Sequence, residues 1–170
     1  MKQTRQLFML LMLFPAAAIL GLLAFKAFTV ITGEEILLET APVDPRDLFR
    51  GNYVQLSYLI SGTPTEGYDY GQTIYAVLSK KETYWTVDRI SPTKPQTAPG
   101  EVCMKGTVQG GWRSQITWGI ESFFAPTDLA LDIERQQRAG NVTTAVVAVD
   151  TFCNAVLKGL IVGDQVIATR

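Results

Sequence analysis

Asp44-Pro45-Arg46-Asp47-Leu48-Phe49-Arg50-Gly51-Asn52-Tyr53-Val54-Gln55-Leu56-Ser57-Tyr58 is the stretch around which the chain reads as organised. Two Asp and two Arg fall within the seven residues 44–50, a turn is expected at Gly51, and a strand follows. From Asn52 the residues alternate. Val54, Leu56, Tyr58 and Ile60 share one face, and Tyr53, Gln55, Ser57 and Leu59 share the other. With aromatic residues on both faces, both are expected to be covered. The charged lead-in reads either as a site or as a structural corner.

Outward from this stretch, the N-terminal side is dominated by Gln6–Phe25, an uncharged run of twenty residues rich in Leu, Phe, Met and Ala. A helix of that length covers a hydrocarbon layer of roughly 30 Å, and a kink at Pro15 is compatible with such a helix. Lys2 and Arg5 precede the run, whereas Glu34, Glu35 and Glu39 follow Lys26. By the positive-inside rule the N-terminus is expected in the cytoplasm, with the rest of the chain outside it. A cleaved signal peptide is the alternative. It is disfavoured because a signal core is usually shorter and no small-x-small site follows the run. The expected division is a cytoplasmic tip and transmembrane anchor over 1–33, then an extracytoplasmic β-rich domain over 34–170.

The remaining length of about 140 residues suits one domain with a sizeable core. Apolar residues are 47% of the chain, too many for disorder, and charged residues are 18%. There is no histidine among the 170 residues, which excludes Ser-His-Asp and Cys-His catalysis within the chain and removes the commonest transition-metal ligand. Removing Lys2, Arg5 and Lys26 from the 15 basic residues leaves 12 against 16 acidic ones, without a basic stripe. Nucleic acid is therefore not an expected partner. No cofactor and no metal site are expected. Cys103 and Cys153 are the only cysteines. Export would permit a bond between them, closing a loop worth at most roughly 4 kcal/mol. Both flanks look strand-like, so a disulfide and two buried thiols stand as equal alternatives.

The elements expected along the chain are mostly short strands. Ala27–Gly33 extends the anchor helix and stops at Gly33; Glu35–Thr40 is a strand. Thr73–Ser79 and Thr83–Ile90 form a hairpin about Lys80-Lys81-Glu82. Glu101–Gln109 and Arg113–Ile120 form another about Gly110-Gly111. Pro126–Ala139, with Thr127 as N-cap and Gly140 after its end, reads as a surface helix. Asn141–Asp150 is a β-branched strand, and Ala155–Val162 with Gln165–Ala168 is a closing hairpin. The fold class is α+β, mainly antiparallel β in a barrel-like or sandwich arrangement, with one N-terminal transmembrane helix and one surface helix.

Several separated stretches resemble one family. Gly51-Asn52-Tyr53-Val54-Gln55-Leu56-Ser57-Tyr58 is similar to the motif that names the GDYXXLXY proteins, a bacterial membrane-anchored family of unknown activity. Arg46-Asp47-Leu48-Phe49-Arg50 resembles the family's charged lead-in. Trp118-Gly119-Ile120-Glu121-Ser122-Phe123-Phe124-Ala125-Pro126 resembles its Gly-Ile-Glu segment, and Ala155–Leu160 its C-terminal hairpin. The departure is Asn52, where the family usually has Asp; Asn keeps a turn hydrogen bond, which favours a structural role. The resemblance implies a bacterial inner-membrane location and, because relatives tend to be encoded beside multi-spanning membrane proteins, an integral membrane partner besides the lipid bilayer. The motif residues it singles out for binding are Asp44, Arg46, Asp47, Arg50, Gly51, Asn52, Tyr53, Leu56, Tyr58, Gly119 and Glu121.

For chemistry, Asp44, Arg46, Asp47 and Arg50 with Glu121 supply carboxylates and anion-binding groups. The weak catalytic candidates are Asp47 and Glu121, as the carboxylate pair of an envelope-acting hydrolase, which requires them to converge at about 5 to 9.5 Å. A salt-bridged corner is the favoured alternative. The expected function is a membrane-anchored binding or scaffold module, more an accessory partner than an enzyme.

Overall fold

The computed structural model describes residues 2–41, 53–110, 115–124, 143–162 and 165–168. The expected lead-in at Asp44–Asn52, the surface helix at Pro126–Ala139 and residues 163–164, between the two strands of the closing hairpin, lie outside the described residues.

The chain begins with α1 (Lys2–Thr32), a 31-residue helix that continues through Pro15. Its segment Leu13–Thr32 has a mean hydropathy of 2.0 and is almost wholly uncovered by the rest of the protein. It is long and apolar enough to cross a membrane. Leu13, Phe14, Leu20, Leu22 and Leu23 all point outward. Gly33 ends the helix, and Glu34 already belongs to β1 (Glu34–Ala41), so a single residue separates helix from sheet.

The strands that follow are β2 (Tyr53–Gln55), β3 (Ser57–Tyr58), β4 (Thr73–Lys81), β5 (Tyr84–Ser91), β6 (Glu101–Gln109), β7 (Gln115–Thr117), β8 (Ser122–Phe124), β9 (Thr143–Val149), β10 (Ala155–Val162) and β11 (Gln165–Ala168). They pair as a five-stranded sheet in the order β11-β10-β9-β1-β3, a four-stranded sheet β5-β4-β6-β7, and a ribbon β2-β8. Every described pairing is antiparallel. The fold is α+β, as the strand-rich pattern predicts.

Alternation along each strand builds one core. Ile36 and Leu38 of β1, Val147 of β9 and Leu160 of β10 meet Ile74, Ala76 and Leu78 of β4 and Met104 of β6. The β4–β5 turn comes at Glu82, which takes the left-handed backbone (φ 53°). Of the pair Tyr84 and Trp85, the indole enters the core and Tyr84 stays half-buried, as opposite faces of a strand require.

Two expectations need correction. The strand from Asn52 is not continuous: β2 pairs with β8, β3 pairs with β1, and a 3-10 turn (Leu59–Gly62) follows at once. The segment changes sheets at Leu56, which two unrelated partners on its two sides impose. Nor are both faces covered. Leu56, Tyr58 and Ile60 are buried, but Gln55 and Leu59 are exposed and Ser57 is half-buried. Aromatic character on the second face rested on Tyr53 alone.

Candidate functional site

The two most motif-like stretches of the sequence are neighbours in space. Tyr53 pairs with Phe124, Val54 with Phe123 and Gln55 with Ser122. Where the ladder ends, the amide of Leu56 donates to the carbonyl of Glu121 at 2.7 Å. The Tyr58 ring is buried in the core, and its hydroxyl donates to the carbonyl of Ile120 at 2.6 Å. Burial, and secondarily the charge of Glu121, push the Tyr58 phenol far above its ordinary pKa. It is neutral and serves as a donor.

Glu121 turns its carboxylate back on its own loop. Its two oxygens accept the amides of Trp118 and Gly119, the latter at 2.9 Å. Gly119 takes φ +80°, a conformation that a side chain would strain. Trp118 lies across β6, where a Cβ at Gly106 would come within 2.8 Å of the indole ring. The Trp118 indole N–H is buried with no hydrogen-bond partner among the described residues. The arrangement fixes a tight turn and locks it onto β2 and β3; we call it the motif joint.

Of the residues singled out from sequence, the structure thus gathers Leu56, Tyr58, Gly119 and Glu121 into one joint, with Tyr53 entering through its backbone. Asp44, Arg46, Asp47, Arg50, Gly51 and Asn52 lie outside the described residues. Among the described residues no three Cys, Asp or Glu side chains gather in a group able to hold a metal ion.

A second joint escaped the sequence reading. Asp150 directly follows β9 and is buried. One carboxylate oxygen accepts the Thr29 hydroxyl of α1 at 2.7 Å, and the other accepts the amides of Phe152 at 2.8 Å and Asn154 at 2.9 Å. The Asn154 side-chain amide reaches both oxygens. Burial alone pushes the Asp150 carboxyl up, but these hydrogen bonds outweigh it and the net displacement is downward. The helix end is therefore bonded to the turn between β9 and β10. Gly33 makes the approach possible: its amide donates to the Thr29 carbonyl at 2.9 Å, and a Cβ there would collide with that carbonyl and meet the Val149 amide at 3.0 Å. Asp150 with Asn154 four residues later, closing a β-branched run, is the available signal for this turn.

The same turn carries Cys153, which is bonded to Cys103. This decides between the two alternatives, and it corrects the strand-like reading of the Cys153 flank. Cys103 lies on β6, but Cys153 sits in the turn with φ 65°. Its amide donates to the Asp150 carbonyl at 3.0 Å, and its carbonyl accepts the Lys105 amide of β6 at 2.8 Å. Such a conformation persists where its surroundings over-determine it.

No curated protein and no solved structure matches the chain. A family model described as GDYXXLXY protein matches residues 15–160, a span that takes in the second half of α1, the motif joint and the Asp150 turn. With this match over most of its length, the chain belongs to the GDYXXLXY family.

Proposed function

We propose that this protein is a single-pass membrane protein, N-terminus cytoplasmic, whose β-rich domain stands outside the cytoplasm as a binding or scaffold module for a multi-spanning membrane protein. The observation that carries the reading is the anchor joint. α1 passes into β1 through one residue, and Thr29, inside the apolar segment, is hydrogen-bonded to Asp150 of the domain. Cleavage between Thr29 and Gly33 would strip Asp150 of that partner, which weighs against a signal sequence removed at the end of the apolar segment. A domain tied to its helix in this way is held at one height and orientation above the bilayer, which suits a surface that docks on a fixed neighbour. The disulfide fits an oxidising compartment. The commitment of the Glu121 carboxylate to two amides of its own turn weighs against its use as a catalytic acid or base.

The test is affinity purification of the full-length chain from its own host in mild detergent, followed by mass spectrometry. A stoichiometric multi-spanning membrane protein is the expected result. Recovery of the chain alone, without self-association, overturns the scaffold reading.

A further inference from the structure

The anchor joint fixes more than an angle. The uncharged run ends at Phe25 and the apolar segment of the helix at Thr32, so by either bound Thr29 lies within about 6 Å of the outer end. Asp150 is bonded to Thr29, and so the turn between β9 and β10 sits at the height where hydrocarbon gives way to headgroups. At its tip the Phe152 side chain is 57% exposed. Lys94, from the loop between β5 and β6, places its ammonium 5.3 Å from the centre of that ring. Lys105 reaches the turn from β6, its ammonium donating to the Asn154 side chain at 3.4 Å.

Of the nearby acids, all but Glu34 are engaged elsewhere. Asp150 is saturated by its hydrogen bonds. Glu35, also exposed, is paired with Lys158, and Glu34 stands beside it at the start of β1. Lys94 and Lys105 form no ion pair among the described residues. The loop that carries Lys94 is clasped at its base. Arg89 holds Glu101 by two bonds of 2.8 and 2.9 Å, and the Ala98 amide donates to the same carboxylate. Arg89 first, then the Ala98 amide, bring the Glu101 carboxyl down to about 2, so the clasp stays charged at neutral pH.

We infer that the turn bearing Phe152, with Lys94 and Lys105 beside it, is a foot on the outer face of the bilayer: the phenyl ring enters the headgroup layer and the two ammonium groups meet anionic lipid headgroups. An aromatic ring at the interface and long basic side chains reaching for phosphate are what that layer selects. This rests on the reading of α1 as a membrane span.

The test uses the full-length chain in nanodiscs, with a photoreactive benzophenone amino acid replacing Leu20, Phe152 or Tyr70 in turn. Leu20 probes the span, and Tyr70 packs at Gly110, beyond the opposite end of β6 from Cys103. The expected result is lipid crosslinking at positions 20 and 152 but not at 70. The yield at 152 should rise several-fold when phosphatidylglycerol is mixed into phosphatidylcholine, and the variant Lys94→Gln/Lys105→Gln should lose that rise. Crosslinking at 20 with none at 152 overturns the foot and leaves the span standing, whereas no crosslinking at 20 overturns both. A yield at 152 indifferent to anionic lipid overturns the role of the lysines.

Discussion

Glu121 and Asp150 occupy comparable positions. Each carboxylate lies under a tight turn at the end of a strand segment, and each accepts two backbone amides. Glu121 stops there, because both amides belong to the three residues before it. Asp150 keeps one oxygen for Thr29, 121 residues earlier in the chain, and its turn is bonded again through Cys153 to β6. One carboxylate shapes a loop; the other joins three parts of the molecule. The motif joint is therefore expected to be a local fastening whose loss is partly absorbed, and the anchor joint a point where single changes spread.

The largest effect is expected at the disulfide, which belongs to the anchor joint alone. The bond spans 50 residues, and removing it with Cys103→Ala/Cys153→Ala should cost about 4 kcal/mol in the chain-entropy account. Denaturant unfolding of the full-length chain in detergent measures this, and a loss well under 1 kcal/mol would show that the turn holds itself. Gly33→Ala comes next. The added methyl meets backbone atoms on both sides, so helix or sheet must shift, at about 2–3 kcal/mol. Limited proteolysis between α1 and β1 should accelerate in this variant, while cleavage near the motif joint stays unchanged.

Asp150→Ala leaves a buried hydroxyl and two amides without their acceptor, a loss of about 2 kcal/mol. The pH dependence sharpens the point. The folded carboxyl is held below its unfolded value of about 3.9. Its contribution is therefore complete well above pH 4 and is lost as the pH falls through the lower folded value. Acid titration of stability should be shallower for Asp150→Asn than for the parent chain. The smallest effect is expected at the motif joint. Tyr58→Phe removes one buried hydrogen bond, about 1 kcal/mol, and the penalty should be flat from pH 5 to 9 because the raised phenol stays neutral. A drop near 3 kcal/mol would place the motif joint on a par with the anchor joint.

How much of this was legible follows from range. The stop at Gly33, the hairpin about Glu82 and the β-branched run ending at Asp150 are local patterns, and the chain follows them. The motif joint was half legible. Gly119 and Glu121 stood out as residues, but their pairing with Tyr53–Gln55 joins segments more than sixty residues apart, which no period reveals. The change of sheet at Leu56 was invisible for the same reason, since a run of alternating residues does not say which neighbour each half will find. Asp150 reads from the sequence only as the end of a β-branched strand. Its partner is a threonine in an apolar helix, where a hydroxyl ordinarily bonds back to its own helix, as Thr32 does to the Phe28 carbonyl and Thr29 itself does, at 3.4 Å, to that of Phe25.

The single residue between α1 and β1 also sets how motion travels. A domain on a slack tether ignores the inclination of its anchor; this one follows it as a mast follows its step. Spanning helices lean by about 20° on average. A lean of that size, pivoting at Gly33, carries a point about 20 Å up the sheet, some six residues of strand, sideways by about 7 Å. Bilayer thickness and the grip of neighbouring helices thereby become inputs that the far end of the sheet reads out as position.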